Sequence, residues 1–122
     1  MTTIYQDGLV PGNLQVSLGG AITAGGGAGA VASITGVGFT AALVGTTYVV
    51  TLTDPYYQLW SATANASGTG VNDYVAVEAS NFANTNTPTV TFQVYDDTGG
   101  AAILADDAKV YFHLTLVRSL AQ

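Results

Sequence analysis

VYFHLTLV, residues 110–117, alternates with a period of two. Val110, Phe112, Leu114 and Leu116 fall on one side, and Tyr111, His113, Thr115 and Val117 on the other. Successive side chains of a strand point to opposite faces, so this stretch predicts a β-strand with one apolar, buried face. The pattern repeats upstream. Val90, Phe92 and Val94 alternate with Thr89, Thr91, Gln93 and Tyr95. Val75, Val77 and Ala79 form another set, as do Tyr48, Val50 and Leu52. Val37, Phe39, Ala41 and Leu43 form one more, and Leu14, Val16 and Leu18 mark an early strand. Trp60, Ala62, Ala64 and Ala66 make a weaker set, which assigns the indole to the core.

Turn-forming residues separate these runs. Val44-Gly45-Thr46 is a tight link, so residues 37–53 read as a hairpin. Asp54-Pro55 ends it, because proline cannot donate to a ladder. Ser67-Gly68-Thr69-Gly70, Asn84-Thr85-Asn86-Thr87-Pro88 and Asp96-Asp97-Thr98-Gly99-Gly100 read as loops. No segment keeps a 3.6-residue period over ten positions, and valine, threonine and tyrosine suit a pleated surface. The expected fold is all-β: an antiparallel two-sheet β-sandwich, jelly-roll-like, with seven or eight short strands. It spans residues 14–122 as one domain, and residues 1–13 form an N-terminal arm jointed at Pro11-Gly12.

Composition narrows the function. The chain has 122 residues and no cysteine, which removes disulfides, thiolate metal sites and cysteine nucleophiles. Charged residues make up 8%, the net charge is −6, and Lys109 and Arg118 are the only permanent cations. Such a chain lacks the basic patch that nucleic-acid binding needs, so no nucleic-acid partner is expected. The first residues have neither the basic nor the apolar region of a signal peptide, and no run is long enough to span a membrane. The expectation is a protein made in the cytoplasm, without a membrane partner.

Four features invite a chemical reading. Gly27-Ala28-Gly29-Ala30-Val31-Ala32 fits G-x-G-x-x-A, with Asp54 downstream where a ribose-binding acid would stand. That fingerprint requires a helix after the glycines, whereas Val31-Ala32-Ser33-Ile34-Thr35-Gly36 reads as a strand and a turn. The stretch is therefore expected to be a mobile loop, with glycine and alanine there because little constrains them, and Asp54 a turn acid. His113 is the only histidine, and no G-x-S-x-G accompanies it, so it reads as a surface or interface side chain. Asp96-Asp97 and Asp106-Asp107 could share a Ca²⁺ ion, but without EF-hand spacing they read as solvated turn acids. Tyr56 and Tyr57, after Pro55, are candidates to stack on a glycan. No catalytic residue, cofactor or metal site emerges, and an enzyme ranks last.

Two stretches carry a resemblance. They are ITGVGFTAALVGTTYVVTLTDPYYQLWSATANA (34–66) and TVTFQVYDDTGGAAILADDAKVYFHLTLVRS (89–119). The shared features are Gly38-Phe39-Thr40, then Gly45 with Tyr48, Val50, Thr51, Leu52, Thr53 and Asp54, and a last strand of Val110, Phe112, Leu114, Leu116, Arg118 and Ser119. Over residues 33–120 the chain resembles the capsid decoration, or cement, proteins of tailed bacteriophages. The resemblance implies a structural virion protein on the outer surface of the head that bridges subunits of the major capsid protein, commonly as a homotrimer. It brings no catalytic residues. The apolar residues Ile4, Tyr5, Leu9, Val10 and Leu14 of the arm lie outside it and are candidate capsid contacts. The second reading is a fibre or tail module that binds glycans or receptors through Tyr56 and Tyr57.

Overall fold

The computed structural model describes residues 13–55, 58–68, 74–80, 82 and 86–119. Every regular element among them is a strand: β1 Asn13–Ala24, β2 Val31–Thr35, β3 Phe39–Val44, β4 Thr47–Leu52, β5 Gln58–Ser67, β6 Tyr74–Ser80, β7 Thr89–Asp96, β8 Ala101–Ala102 and β9 Lys109–Ser119. All pairings are antiparallel. One sheet has the order β2-β1-β9-β5, the other β3-β4-β7-β6, with the two-residue β8 beside β7. This is the expected sandwich, with eight principal strands. The first and last strands lie side by side at the centre of one sheet, and β1–β2, β3–β4 and β6–β7 are local hairpins.

The alternations converge on one core. Tyr48, Val50 and Leu52 of β4, Val90, Phe92 and Val94 of β7, and Val110, Phe112, Leu114 and Leu116 of β9 are all buried. Leu18 and Ile22 of β1 complete the opposite wall. Phe112 meets Phe39 edge-on with ring centroids 5.0 Å apart and lies tilted against Phe92 at 5.3 Å, so three rings join the two sheets. Among the described residues the buried side chains are apolar apart from the hydroxyl of Tyr48.

Four departures from the sequence reading are seen, three of them with local causes. β1 is twice as long as Leu14, Val16 and Leu18 suggest, because it runs on through Gly19-Gly20 to Ala24. Gly20 is there for space: a Cβ on it would sit 2.6 Å from the Phe39 ring and from the Thr35 carbonyl oxygen. Val37 does not join the Phe39 face. It is 87% exposed in the turn, between Gly36 (φ 117°) and Gly38 (φ 93°). Trp60 is not in the core but 59% exposed. The ladder between β5 and β9 slips between Leu59 and Ser61, so Trp60 is an extra residue in a bulge, while Leu59, Ala62, Ala64 and Ala66 pack on the core. Val117 alternates onto the outer face of β9 yet is buried.

Candidate interaction surface

Among the described residues charge sits between strands, at strand ends and, at Glu78, in the edge strand β6. Asp54, Asp96, Asp97, Asp106 and Asp107 lie between strands or at their ends, and Lys109 opens β9 and donates from Nζ to Thr23 Oγ1 at 3.1 Å. The outer faces of the sheets are neutral across their centres. On one, the register sets Thr115 between Ser17 and Ser61, and His113 between Gly19 and Thr63. On the other, Thr51 lies between Thr40 and Thr89, and Val49 between Ala42 and Thr91. His113 is exposed, and neither of its cross-strand neighbours is an acid that could orient an imidazole.

The edges differ from one another. An unpaired strand edge is a template for another chain, and proteins blunt it with bulges, charges or proline. The ladder of β2 slips between Thr23 and Ala24, leaving Ala32 without a partner in the register. That of β5 slips at Trp60. That of β6 slips between Tyr74 and Ala76, and β6 carries Glu78. β3 has none of these devices. Its six residues, FTAALV, pair without interruption from Phe39↔Leu52 to Val44↔Thr47 and include neither charge nor proline.

The glycine stretch is part of the scaffold. It forms the β1–β2 turn, with positive φ at Gly26, Gly27, Ala28 and Gly29 (80°, 91°, 56° and 74°). Gly25 N donates to the Ala30 carbonyl at 3.0 Å, Gly27 N to Asp106 Oδ1 at 3.0 Å, and Tyr48 Oη to the Gly29 carbonyl at 2.8 Å. A Cβ at Gly29 would meet Ile103 Cβ at 2.8 Å. The expectation of a mobile, unconstrained loop is therefore corrected: backbone handedness and close packing require glycine here. β2 follows it directly, so no helix N-terminus faces the turn. Tyr48 Oη also accepts from Leu104 N at 2.9 Å, and Tyr74 Oη accepts from Ala105 N at 2.7 Å. Two tyrosines thus fasten the segment between β8 and β9.

The paired acids serve turns. Asp96 Oδ1 accepts from Thr98 Oγ1 (2.6 Å), Thr98 N (3.0 Å) and Gly100 N (3.2 Å). The Thr98 hydroxyl first, with backbone N–H groups of Thr98 and Gly100, holds the Asp96 carboxyl below the usual 3.8. Carboxyl NMR is expected to show Asp96 titrating below that value, and Thr98→Val to move it upward. A titration indifferent to Thr98 would contradict this account. Among the described residues no three His, Cys, Asp or Glu side chains gather to hold a metal ion.

Of the candidate contacts, Ile4, Tyr5, Leu9, Val10, Tyr56 and Tyr57 lie outside the described residues. Leu14 is in β1, paired with Arg118, and its side chain is likewise outside them. The β3 edge escaped the sequence reading, because the alternation of FTAALV reports which face is buried, not whether a neighbour lies alongside. Comparison with known proteins gives no match among family models, curated proteins or solved structures.

Proposed function

We propose that this protein is a structural component of a tailed-bacteriophage virion, which sits on the outside of the head and bridges neighbouring copies of the major capsid protein. The resemblance over residues 33–120 suggests it. The observation that supports it most is the uncharged centre of each outer sheet face, with Ser17, Thr115 and Ser61 on one and Thr40, Thr51 and Thr89 on the other, a surface suited to broad neutral contact. Repetition strengthens such contacts: once one copy of a symmetric oligomer docks on a lattice, the others dock intramolecularly. The arm, with Ile4, Tyr5, Leu9 and Val10, adds apolar reach towards a capsid subunit, beside Leu14 at the start of β1.

Adding the chain to heads that lack it tests this. Saturable binding is expected, with a higher temperature of head disruption and little loss of binding as salt rises, because neutral contacts are weakly screened. Deleting residues 1–13 should weaken binding sharply. Heads that neither bind nor gain heat resistance would sink the proposal, whereas undiminished binding after the deletion would sink only the role of the arm. The glycan-binding reading gains one observation, the exposed indole of Trp60 close in sequence to Tyr56 and Tyr57. Quenching of tryptophan fluorescence by oligosaccharides, abolished in Trp60→Ala, would favour it instead.

A further inference from the structure

We infer that the open edge of β3 is a homotypic interface, at which a second copy of this chain adds its own β3 antiparallel across a twofold axis through Ala41. The argument begins with the β3–β4 hairpin. Its loop is Gly45-Thr46, with positive φ at Gly45, so Val44 and Thr47 close the ladder as a hydrogen-bonded pair. In an antiparallel ladder bonded and non-bonded pairs alternate. Val44, Ala42 and Thr40 therefore direct their N–H and C=O groups to β4. The bonds beyond the strand agree: Thr53 N donates to the Gly38 carbonyl at 3.0 Å, while Leu52 N turns away from Phe39 to the Pro88 carbonyl at 2.8 Å. Phe39, Ala41 and Leu43 are left aiming their backbone groups at the open side, where no strand among the described residues lies alongside.

A second β3 supplies the missing partners. With Ala41 facing Ala41 of the second copy, Phe39 faces Leu43 of that copy, and all three outward residues exchange both of their bonds. Residues directly opposite in a ladder share a face, so the core-facing Phe39 and Leu43 match and so do the exposed Thr40 and Ala42. A slip of one residue would set core-facing against exposed side chains. A slip of two would put Ala42 on the axis and leave Phe39 unpaired. The strand carries no charge to repel its image, and alanine at the axis lets the backbones approach. A threefold assembly built through β3 would require it to meet a different edge of the next copy. The other long edges, β2, β5 and β6, are all bulged, and the twofold arrangement uses none of them. This interface stands or falls independently of the virion reading, which the head-binding experiment addresses.

The test is the solution mass of the full chain and two charge-bearing variants. Light scattering at micromolar concentration should give twice the 12.4 kDa chain mass. Thr40→Lys with Ala42→Lys sets like charges opposite each other twice across the axis, and its mass should fall by half while circular dichroism keeps the β spectrum. Thr40→Lys with Ala42→Glu sets the new ammonium of each copy against the new carboxylate of the other in this register alone, and should restore the dimer. Hydrogen exchange on the unmodified chain gives a readout free of folding defects: the amides of Phe39, Ala41 and Leu43 should be protected. A native mass of one or three chains, fast exchange at those amides, a doubly lysine-bearing variant that stays dimeric, or a folded variant of opposite charges that stays monomeric would each overturn the inference.

Discussion

Replacing Phe112 with alanine is expected to destabilise the fold by about 3–5 kcal/mol, the range for deleting a large aromatic side chain from a packed core. Phe112 is 5% exposed, and both ring partners, Phe39 and Phe92, belong to the facing sheet. The substitution therefore removes the ring through which the layers grip each other, beyond the apolar area lost. Edge-on and tilted aromatic contacts add about 0.5–1.5 kcal/mol each to simple burial. Relaxation is restricted, because Phe39 is wedged over Gly20, where even a Cβ would lie 2.6 Å from the ring. A domain of this size has a total stability of roughly 5–15 kcal/mol, so the variant should be marginal. Urea denaturation measures the loss. The control is the preceding residue, Tyr111→Ala, on the exposed side of the same strand, expected within about 0.5 kcal/mol of the parent. A loss below about 1 kcal/mol for Phe112→Ala, or equal losses at both positions, would show that the three rings do not carry the core.

That contrast between adjacent residues is also the part of the architecture most legible in the sequence. Val110 to Leu116 alternate without interruption, and their strand lies at the centre of its sheet, so period and burial coincide. The same holds for β4 and β7. Legibility fails where the ladder slips. Trp60 shares the parity of Ala62, Ala64 and Ala66, and only the bulge before Ser61 moves it to the outside. A bulge is a property of two paired strands and leaves no mark in the spacing of one. Val37 fails for another reason: positive φ at Gly36 and Gly38 reverses the chain before the strand begins. The glycine stretch was legible as a turn but not as a constrained one, because its constraints come from Asp106, Tyr48 and Ile103, all distant in sequence. The β3 edge is the extreme case. Nothing in FTAALV says that three other edges are blunted and this one is not.

Removing a single oxygen, in Tyr48→Phe, is expected to cost about 2–4 kcal/mol although the ring stays in place. The hydroxyl is fully buried, donates to the Gly29 carbonyl at 2.8 Å and accepts from Leu104 N at 2.9 Å. Phenylalanine leaves both backbone groups without a partner, and an orphaned buried polar group costs about 1–3 kcal/mol. Tyr74→Phe is the milder comparison, at about 1 kcal/mol, since its bond to Ala105 N is only partly buried. Burial, and secondarily the neighbouring Tyr74, push the Tyr48 hydroxyl above its usual 10.0, against the lowering effect of the Leu104 N–H. A group that holds its proton more tightly when folded stabilises the fold fully below its unfolded pKa. That contribution is lost as pH rises past about 10 towards the folded value, because the unfolded chain ionises first. The stability gap between parent and Tyr48→Phe should therefore be constant through neutral pH and narrow in alkali. Hydrogen exchange should show where the loss falls, with faster exchange at Leu104 and in the turn around Gly29. The amides of Phe39, Ala41 and Leu43 should keep their rates while the variant stays folded. If the gap is under about 0.5 kcal/mol, or does not narrow above a pH of about 10, the hydroxyl does not fasten the two loops. If exchange at β3 quickens as well, the glycine turn and the open edge are not separate parts: the end that holds the sandwich shut would also set the readiness of the edge to pair.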